Sequence, residues 1–138
     1  MRELEAEFGF TLDVCATAES AKCDRYFTRE DNGLNQPWDG VVWCNPPFDD
    51  IASWVAKSWL ELLSGTTDTI VVLVPAWTDR AWWAEQVEPY RDTIGSPLKS
   101  RFLKGRVRFG QPGDQNGEHA GQPSFWCCLL IFQAGGNK

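Results

Sequence analysis

The clearest chemical pattern in the sequence is Asn45-Pro46-Pro47-Phe48, which directly follows the apolar run Val41 to Cys44. The side-chain oxygen of Asn45 and the backbone oxygen of Pro46 are two acceptors held close together, and a planar exocyclic amine offers two N–H donors. Phe48 can stack on the ring that carries the amine. If the electrophile is as strong as a sulfonium methyl, no general base is required and catalysis comes mainly from positioning. A proline-rich turn that Asn45 merely caps is the alternative interpretation.

Other catalytic chemistries find little support in the sequence. The chain has a single histidine, His119, and no GxSxG motif, which makes a Ser-His-Asp arrangement not credible. It contains neither a P-loop nor a GxGxxG motif, so phosphate binding of those kinds is not supported. The five cysteines form no CxxC pair, and we therefore expect free thiols and no metal site.

The elements around Asn45 must position its side chain. The run 41–44 is typical of a strand buried on both faces, and the prolines end it because they lack an N–H and fix φ. Asn45 then projects from the carboxyl end of the strand, where open α/β sheets bind their ligands. Neighbouring strands are predicted at 10–14 and 69–74. The sheet is therefore predicted to present Asp13, Asn45 and the segment 77–79 along one edge.

Hydrophobic periodicity and turn residues predict the remaining elements. Helices are predicted at 2–8, from Asp49 or Asp50 to about 63, and at 79–88, with a short helical turn at 19–23. Further strands are predicted at 26–28, about 100–104, about 106–109 and 124–132, with a long loop over 111–122. This order predicts a single α/β domain over residues 1–138. Its sheet is expected to be mostly parallel, with helices packed on it and an antiparallel edge near the C-terminus.

The net charge of −6 argues against a generic nucleic-acid binder, which is usually basic. The chain nevertheless contains a basic block without an acid, formed by Lys99, Arg101, Lys104, Arg106 and Arg108. Apolar residues are interleaved with these bases, which predicts strands with one wet, positive face; a merely solvated face is the alternative. No window is apolar over the ~18 residues that a membrane helix needs. Because the acidic N-terminus excludes a signal peptide, we expect a cytoplasmic protein with no membrane partner.

Asn45-Pro46-Pro47-Phe48 resembles the (D/N/S)PP(Y/F/W) motif of S-adenosylmethionine-dependent amino-methyltransferases. The rest of the chain is similar to one branch, the bacteriophage-type DNA N6-adenine methyltransferases. The matching segments are Phe8 to Ala16, Tyr26 to Thr28, Asp31 to Leu34, Gln36 to Trp38, Leu73 to Ala76, Thr78-Asp79 and Lys104 to Phe109. They follow one another in order over nearly the whole chain, which makes the set far more specific than the tetrapeptide alone.

The resemblance implies a compact class I (Rossmann-like) methyltransferase sheet. It also implies transfer of a methyl group from S-adenosylmethionine to the N6 amine of adenine in double-stranded DNA. The residues implied to hold the adenine are Asn45, Pro46, Pro47 and Phe48. Enzymes that act on a base generally flip it out of the duplex, and the same is expected here.

The resemblance also implies where the donor and the DNA bind. Asp13, Cys15 and Ala16 would line the donor pocket, and Asp31 would bind the ribose hydroxyls of the donor. The alternatives are that Asp13 is a helix cap and that Asp31 is a turn residue. The basic block from Lys99 to Arg108 would contact DNA phosphates.

Two departures from the family pattern concern the donor half of the site. Val14 to Thr17 stand in place of the usual glycine-rich donor loop. Family members carry a Thr-Pro-containing segment before the first helix, and this chain starts after it. We therefore expect either a segment that precedes Met1 in the full protein or weakened donor binding. The alternative functions are methylation of another planar amine, in RNA or on a protein glutamine, and a non-catalytic DNA-binding module that retains the fold.

Overall fold

The computed structural model describes residues 2–103 and 126–133, which form a mixed α/β structure around one sheet. Its strands are β1 (Leu12–Asp13), β2 (Gly40–Cys44), β3 (Thr67–Pro75), β4 (Leu98–Phe102) and β5 (Cys127–Gln133), in the order β1-β2-β3-β5-β4. Strands β1, β2 and β3 pair in parallel, whereas β5 is antiparallel to both β3 and β4. Strand β4 therefore runs in the same direction as the first three strands, and the predicted mostly parallel sheet with antiparallel C-terminal pairing is confirmed.

Three helices accompany the sheet within the described residues: α1 (Arg2–Phe8), α2 (Ile51–Ser64) and α3 (Ala81–Gln86). Helix α2 forms because Ile51, Val55 and Leu62 recur on one face and are buried. It ends at Gly65, whose φ of 88° is the left-handed conformation that glycine adopts readily, and whose N–H donates to the carbonyl of Leu62. The described helices include none long and apolar enough to cross a membrane.

The core lies on both faces of the sheet. Alternate residues of β2 and β3, such as Val42 and Val72, pack with α2 and α3 on one face. The residues between them, such as Trp43 and Val71, pack with α1 on the other face. Burial on both faces explains why residues 70–75 of β3 are an unbroken apolar run. The sheet is thus a rigid support for the loops that follow its strands.

Several predicted elements are shorter than expected. The first strand covers two residues of the predicted 10–14, and the segment 26–28 makes a single bridge between Tyr26 and Asp13. The segment 19–23 forms turns and bends in place of a helical turn. The predicted strand at 106–109 and the loop at 111–122 lie outside the described residues.

Candidate active site

The carboxyl ends of the parallel strands meet at one rim of the sheet. Asp13 is the last residue of β1 and is in register with Trp43, next to the end of β2. Cys44, which ends β2, is in register with Val72 of β3. The predicted juxtaposition of Asp13, Asn45 and the segment after Pro75 along one edge is therefore what the register produces.

The C-terminal strands reach the same rim. Cys127, the first residue of β5, is in register with Pro75 at the end of β3, and Phe102 at the end of β4 is in register with Cys128. The N–H of Leu103 donates to the carbonyl of Cys127 at 2.9 Å. Residues 103 and 126, which border the gap in the described structure, thus both lie at the rim that carries Asn45.

The segment Asn45-Pro46-Pro47-Phe48 is fixed at both of its ends. Strand β2 ends at Cys44, and Pro47 adopts an extended conformation with φ −64° and ψ 141°. A 3₁₀ turn over Phe48–Asp50 follows, in which the N–H of Asp50 donates to the carbonyl of Pro47 at 3.1 Å. Helix α2 begins directly afterwards. Pro46 is buried, whereas Asn45, Pro47 and Phe48 are half-buried, so the tetrapeptide is anchored without being sealed from solvent.

Phe48 belongs to an aromatic and cationic cluster at the rim. Its ring meets that of Trp77 edge-on, with centroids 5.5 Å apart. Trp77 lies two residues after the end of β3, and its N–H donates to the carbonyl of Pro75 at 2.8 Å. The guanidinium of Arg80 lies 4.3 Å from the centroid of the Trp77 ring. The segment 77–79 was predicted at this edge but Arg80 was not, although a basic residue three positions after Trp77 was an available signal.

Asp13 ties the following loop to the end of β1. Its side chain is 2% exposed, and its two carboxyl oxygens accept N–H groups from Cys15 at 3.2 Å and from Lys22 at 3.0 Å. Burial raises the pKa of Asp13 to about 6, while the two hydrogen bonds and the charge of Lys22 act in the opposite direction. The N–H of Lys22 therefore donates to the Asp13 carboxylate and not to a backbone carbonyl of a helical turn. This explains why the predicted helical turn at 19–23 is wrong.

Cys15 and Ala16 form the start of this loop. Cys15 is half-buried and Ala16 is buried, with the N–H of Ala16 donating to the carbonyl of Phe27 at 3.0 Å. Burial, assisted by the charge of Asp13, raises the pKa of the Cys15 thiol to about 11. The thiol is therefore protonated at neutral pH and is a poor nucleophile. The side chains of Cys15 and Ala16 are therefore small and uncharged, and they lie next to Asp13.

Asp31 lies in an exposed turn close to the end of β1. Its carboxylate accepts hydrogen bonds from the N–H and the hydroxyl of Thr28, at 2.9 and 3.0 Å. Two residues later, a Cβ added to Gly33 would lie 2.3 Å from the carbonyl oxygen of Val14, so glycine is required for this close approach. Asp31 thus makes the hydrogen bonds of a turn residue and also sits near the rim.

The described part of the basic block lies on the edge strand β4. Lys99 and Arg101 are exposed and point to the same face because they are two residues apart. Arg101 makes a two-pronged ion pair with Glu7 of α1, at 2.9 and 2.7 Å, which raises the pKa of Arg101 and lowers that of Glu7. The other predicted DNA-binding residues, Lys104, Arg106 and Arg108, lie outside the described residues.

No group of three or more His, Cys, Asp or Glu side chains in residues 2–103 and 126–133 is arranged to hold a metal ion.

Comparison with known proteins identifies the family of this chain. The chain is a member of the DNA N-6-adenine-methyltransferase (Dam) family, whose model matches residues 1–134. A DNA N-6-adenine-methyltransferase of Escherichia phage T1 is 32% identical over 85 residues, an alignment that covers 59% of this chain. The chain spans 35% of the length of that phage protein. The family resemblance inferred from the Asn45 motif and its flanking segments is thereby confirmed.

Proposed function

We propose that this protein transfers a methyl group from S-adenosylmethionine to the N6 amine of adenine in double-stranded DNA. The observation that carries this proposal is the placement of Asn45–Phe48 beside the Asp13 loop, at one rim of a mostly parallel sheet, in a chain of the DNA N-6-adenine-methyltransferase family. That sheet is proposed to be a compact class I methyltransferase sheet. The cytoplasm, where such a protein would meet DNA, is its proposed location.

The base half of the site acts by orientation. The side-chain oxygen of Asn45 and the backbone oxygen of Pro46 accept the two N–H bonds of the adenine amine, and the Phe48 ring stacks on the flipped base. Because both N–H bonds are held, the nitrogen lone pair is aimed out of the base plane. Asn45 and Phe48 are half-buried, so a base can reach them from solvent. The contribution of these residues is the pre-organisation of the reacting pair.

The donor half of the site is formed by the loop after β1. S-adenosylmethionine supplies an electrophilic sulfonium methyl when it is bound. Its positive charge fits the ionised Asp13, and the small side chains of Cys15 and Ala16 leave room beside that carboxylate. Asp31, in the turn near Val14, is proposed to accept the ribose hydroxyls, with one carboxylate oxygen already engaged by Thr28.

DNA binding is proposed to depend on local positive charge, because the chain as a whole is acidic. Lys99 and Arg101 lie on β4, which ends at the rim that carries Asn45. The other members of this proposed surface are Lys104, Arg106 and Arg108. Since Arg101 is already paired with Glu7, a phosphate must compete with that carboxylate.

Methyl transfer from labelled donor to duplex DNA tests the proposal. We expect the wild-type protein to label adenine, and Asn45→Ala to reduce the rate by at least about 100-fold because positioning of the amine is lost. Asn45→Asp is the matched variant, since it keeps an acceptor oxygen and should retain more activity than Asn45→Ala. Donor binding by calorimetry and the circular dichroism spectrum should be the same in all three proteins.

The outcome also separates the alternatives. If wild-type protein binds the donor but labels no DNA of varied sequence, the proposal fails, and RNA and protein glutamine become the acceptors to assay. If millimolar donor gives neither heat nor a thermal shift, the chain acts as a binding module without the transfer reaction.

A further inference from the structure

Trp77 and Arg80 form a cation–π pair beside the proposed adenine site. The guanidinium of Arg80 lies 4.3 Å from the centroid of the Trp77 ring, a distance at which the cation is attracted to the face of the indole. The turn that carries the pair is closed by the N–H of Arg80, which donates to the carbonyl of Trp77 at 3.2 Å. The pair is thus held on the short connection between β3 and α3.

The engagement of Arg80 differs from that of the paired arginines. Arg25 and Arg101 each make two hydrogen bonds to one carboxylate, with Asp39 and with Glu7. The acidic neighbour of Arg80 is Asp79, whose oxygen lies 3.8 Å away, which is too far for a hydrogen bond. The side chain of Arg80 is 53% exposed, so its guanidinium faces solvent while it rests on the indole.

A guanidinium that lies over an indole ring is well prepared to bind phosphate. Its N–H donors lie in its own plane, so contact of the flat face with an indole leaves the donors at the edge of the plane. A phosphate offers paired oxygens that accept two such N–H bonds in parallel. Stacking also restricts the rotamers of a long side chain, which reduces the entropy lost when the anion binds.

The position of the pair indicates which phosphate it can reach. The Trp77 ring touches Phe48, on which the adenine is proposed to stack, with ring centroids 5.5 Å apart. Arg80 therefore lies one aromatic ring beyond the proposed base site, within the span of a single nucleotide. We therefore expect the sugar and phosphate of the nucleotide whose base enters the site to lie close to this surface.

We propose that Arg80, held over the ring of Trp77, binds a backbone phosphate of the target strand next to the flipped adenine and so positions the nucleotide whose base is methylated. This inference rests on the proposed function, and it assigns to this side chain a role separate from that of the block Lys99 to Arg108. Phosphate contacts fix the register of a protein on DNA without reading the sequence. Arg80 is therefore a positioning residue and is expected to act on DNA of any sequence.

The salt dependence of DNA binding tests this role with the full chain. Binding of a fluorescent, adenine-containing duplex oligonucleotide is measured over a range of salt concentrations for the wild type, Arg80→Gln, Arg80→Lys and Arg25→Gln. For Arg80→Gln we expect the slope of log K against log salt to become less steep by about 0.9, and the affinity at 0.1 M salt to fall about eightfold. Arg80→Lys should restore most of the slope, because a charge at this position still neutralises a phosphate.

Arg25→Gln is the matched control, because it removes the same charge from an exposed arginine that is already paired with Asp39. Its slope should equal that of the wild type. If wild-type protein methylates DNA and Arg80→Gln binds with the wild-type slope, the inference about Arg80 is wrong while the proposed function stands. If wild-type protein neither binds nor methylates the duplex, both are wrong.

Discussion

Replacing Asp13 with asparagine tests whether burial destabilises the ionised carboxyl group at the end of β1. The side chain is 2% exposed, and burial raises its pKa from an ordinary 3.8 to about 6. A shift of this size corresponds to about 3 kcal/mol of difference between the two protonation states. The ionised carboxylate therefore opposes folding at neutral pH, although it accepts N–H groups from Cys15 and Lys22.

The direction of the pH dependence follows from the raised pKa. The native state binds this proton more tightly than the unfolded chain, so the stability from Asp13 is fully present below its ordinary pKa of 3.8 and is lost as the pH rises through about 6. Between pH 7.5 and pH 5, the free energy of unfolding of the wild type should rise by about 1.4 kcal/mol relative to Asp13→Asn. Carboxyl groups whose pKa is lowered are common to both proteins and cancel in this difference; they are Glu7, Asp39, Glu88 and Asp92.

Urea denaturation of both proteins at the two pH values measures this difference. Asp68→Asn is the matched control, because Asp68 is the exposed residue of β3 and its replacement leaves Asp13 in place. In the control, the free energy of unfolding should change between the two pH values by the same amount as in the wild type. If the free energy of unfolding changes equally with pH in the wild type and in Asp13→Asn, the reasoning that burial raises the pKa of this carboxyl group is refuted.

Two further substitutions test the packing of the rim and the edge strand. Gly33→Ala should lower the free energy of unfolding by about 3 kcal/mol, because its Cβ would meet the carbonyl oxygen of Val14 at 2.3 Å. Gly65→Ala, where nothing lies within 4 Å, should lose only about 1 kcal/mol from its positive φ, and equal losses in denaturation experiments would contradict the close approach. Glu7→Gln should change stability by less than about 1 kcal/mol, since its pair with Arg101 is exposed, yet should raise duplex affinity by releasing Arg101 for phosphate. An unchanged affinity in the duplex titration would remove Arg101 from the proposed DNA surface.

Local patterns in the sequence were sufficient for the elements that carry the rim. The helix predicted to end at Gly65 ends there, because the apolar stripe and the glycine stop act over a few residues. The run 69–74 forms a central strand, because burial on both faces requires apolar residues throughout. The position of Asn45 after a strand that two prolines terminate follows from backbone sterics alone.

Features that depend on distant parts of the chain could not be predicted in the same way. The placement of β5 between β3 and β4 is decided by sheet assembly and has no counterpart in local periodicity. The use of the Lys22 N–H by Asp13 depends on a loop that folds back over nine positions. The ion pair between Glu7 and Arg101 joins residues 94 positions apart. Because local patterns do not show such a partner, the sequence predicted a positive face at Arg101 where the structure has an ion pair.

The end of β4 and the start of β5 are both fixed by backbone hydrogen bonds, which has a consequence for the rim. The chain is held on both sides of the segment 104–125 by hydrogen bonds, from Leu103 to Cys127 and from Ala76 to Trp126. The positions of residues 103 and 126 are therefore set by the sheet itself. The hydrogen bond from Ala76 to Trp126 lies next to Trp77, so the turn that carries Trp77 and Arg80 is anchored to the start of β5 as well as to β3.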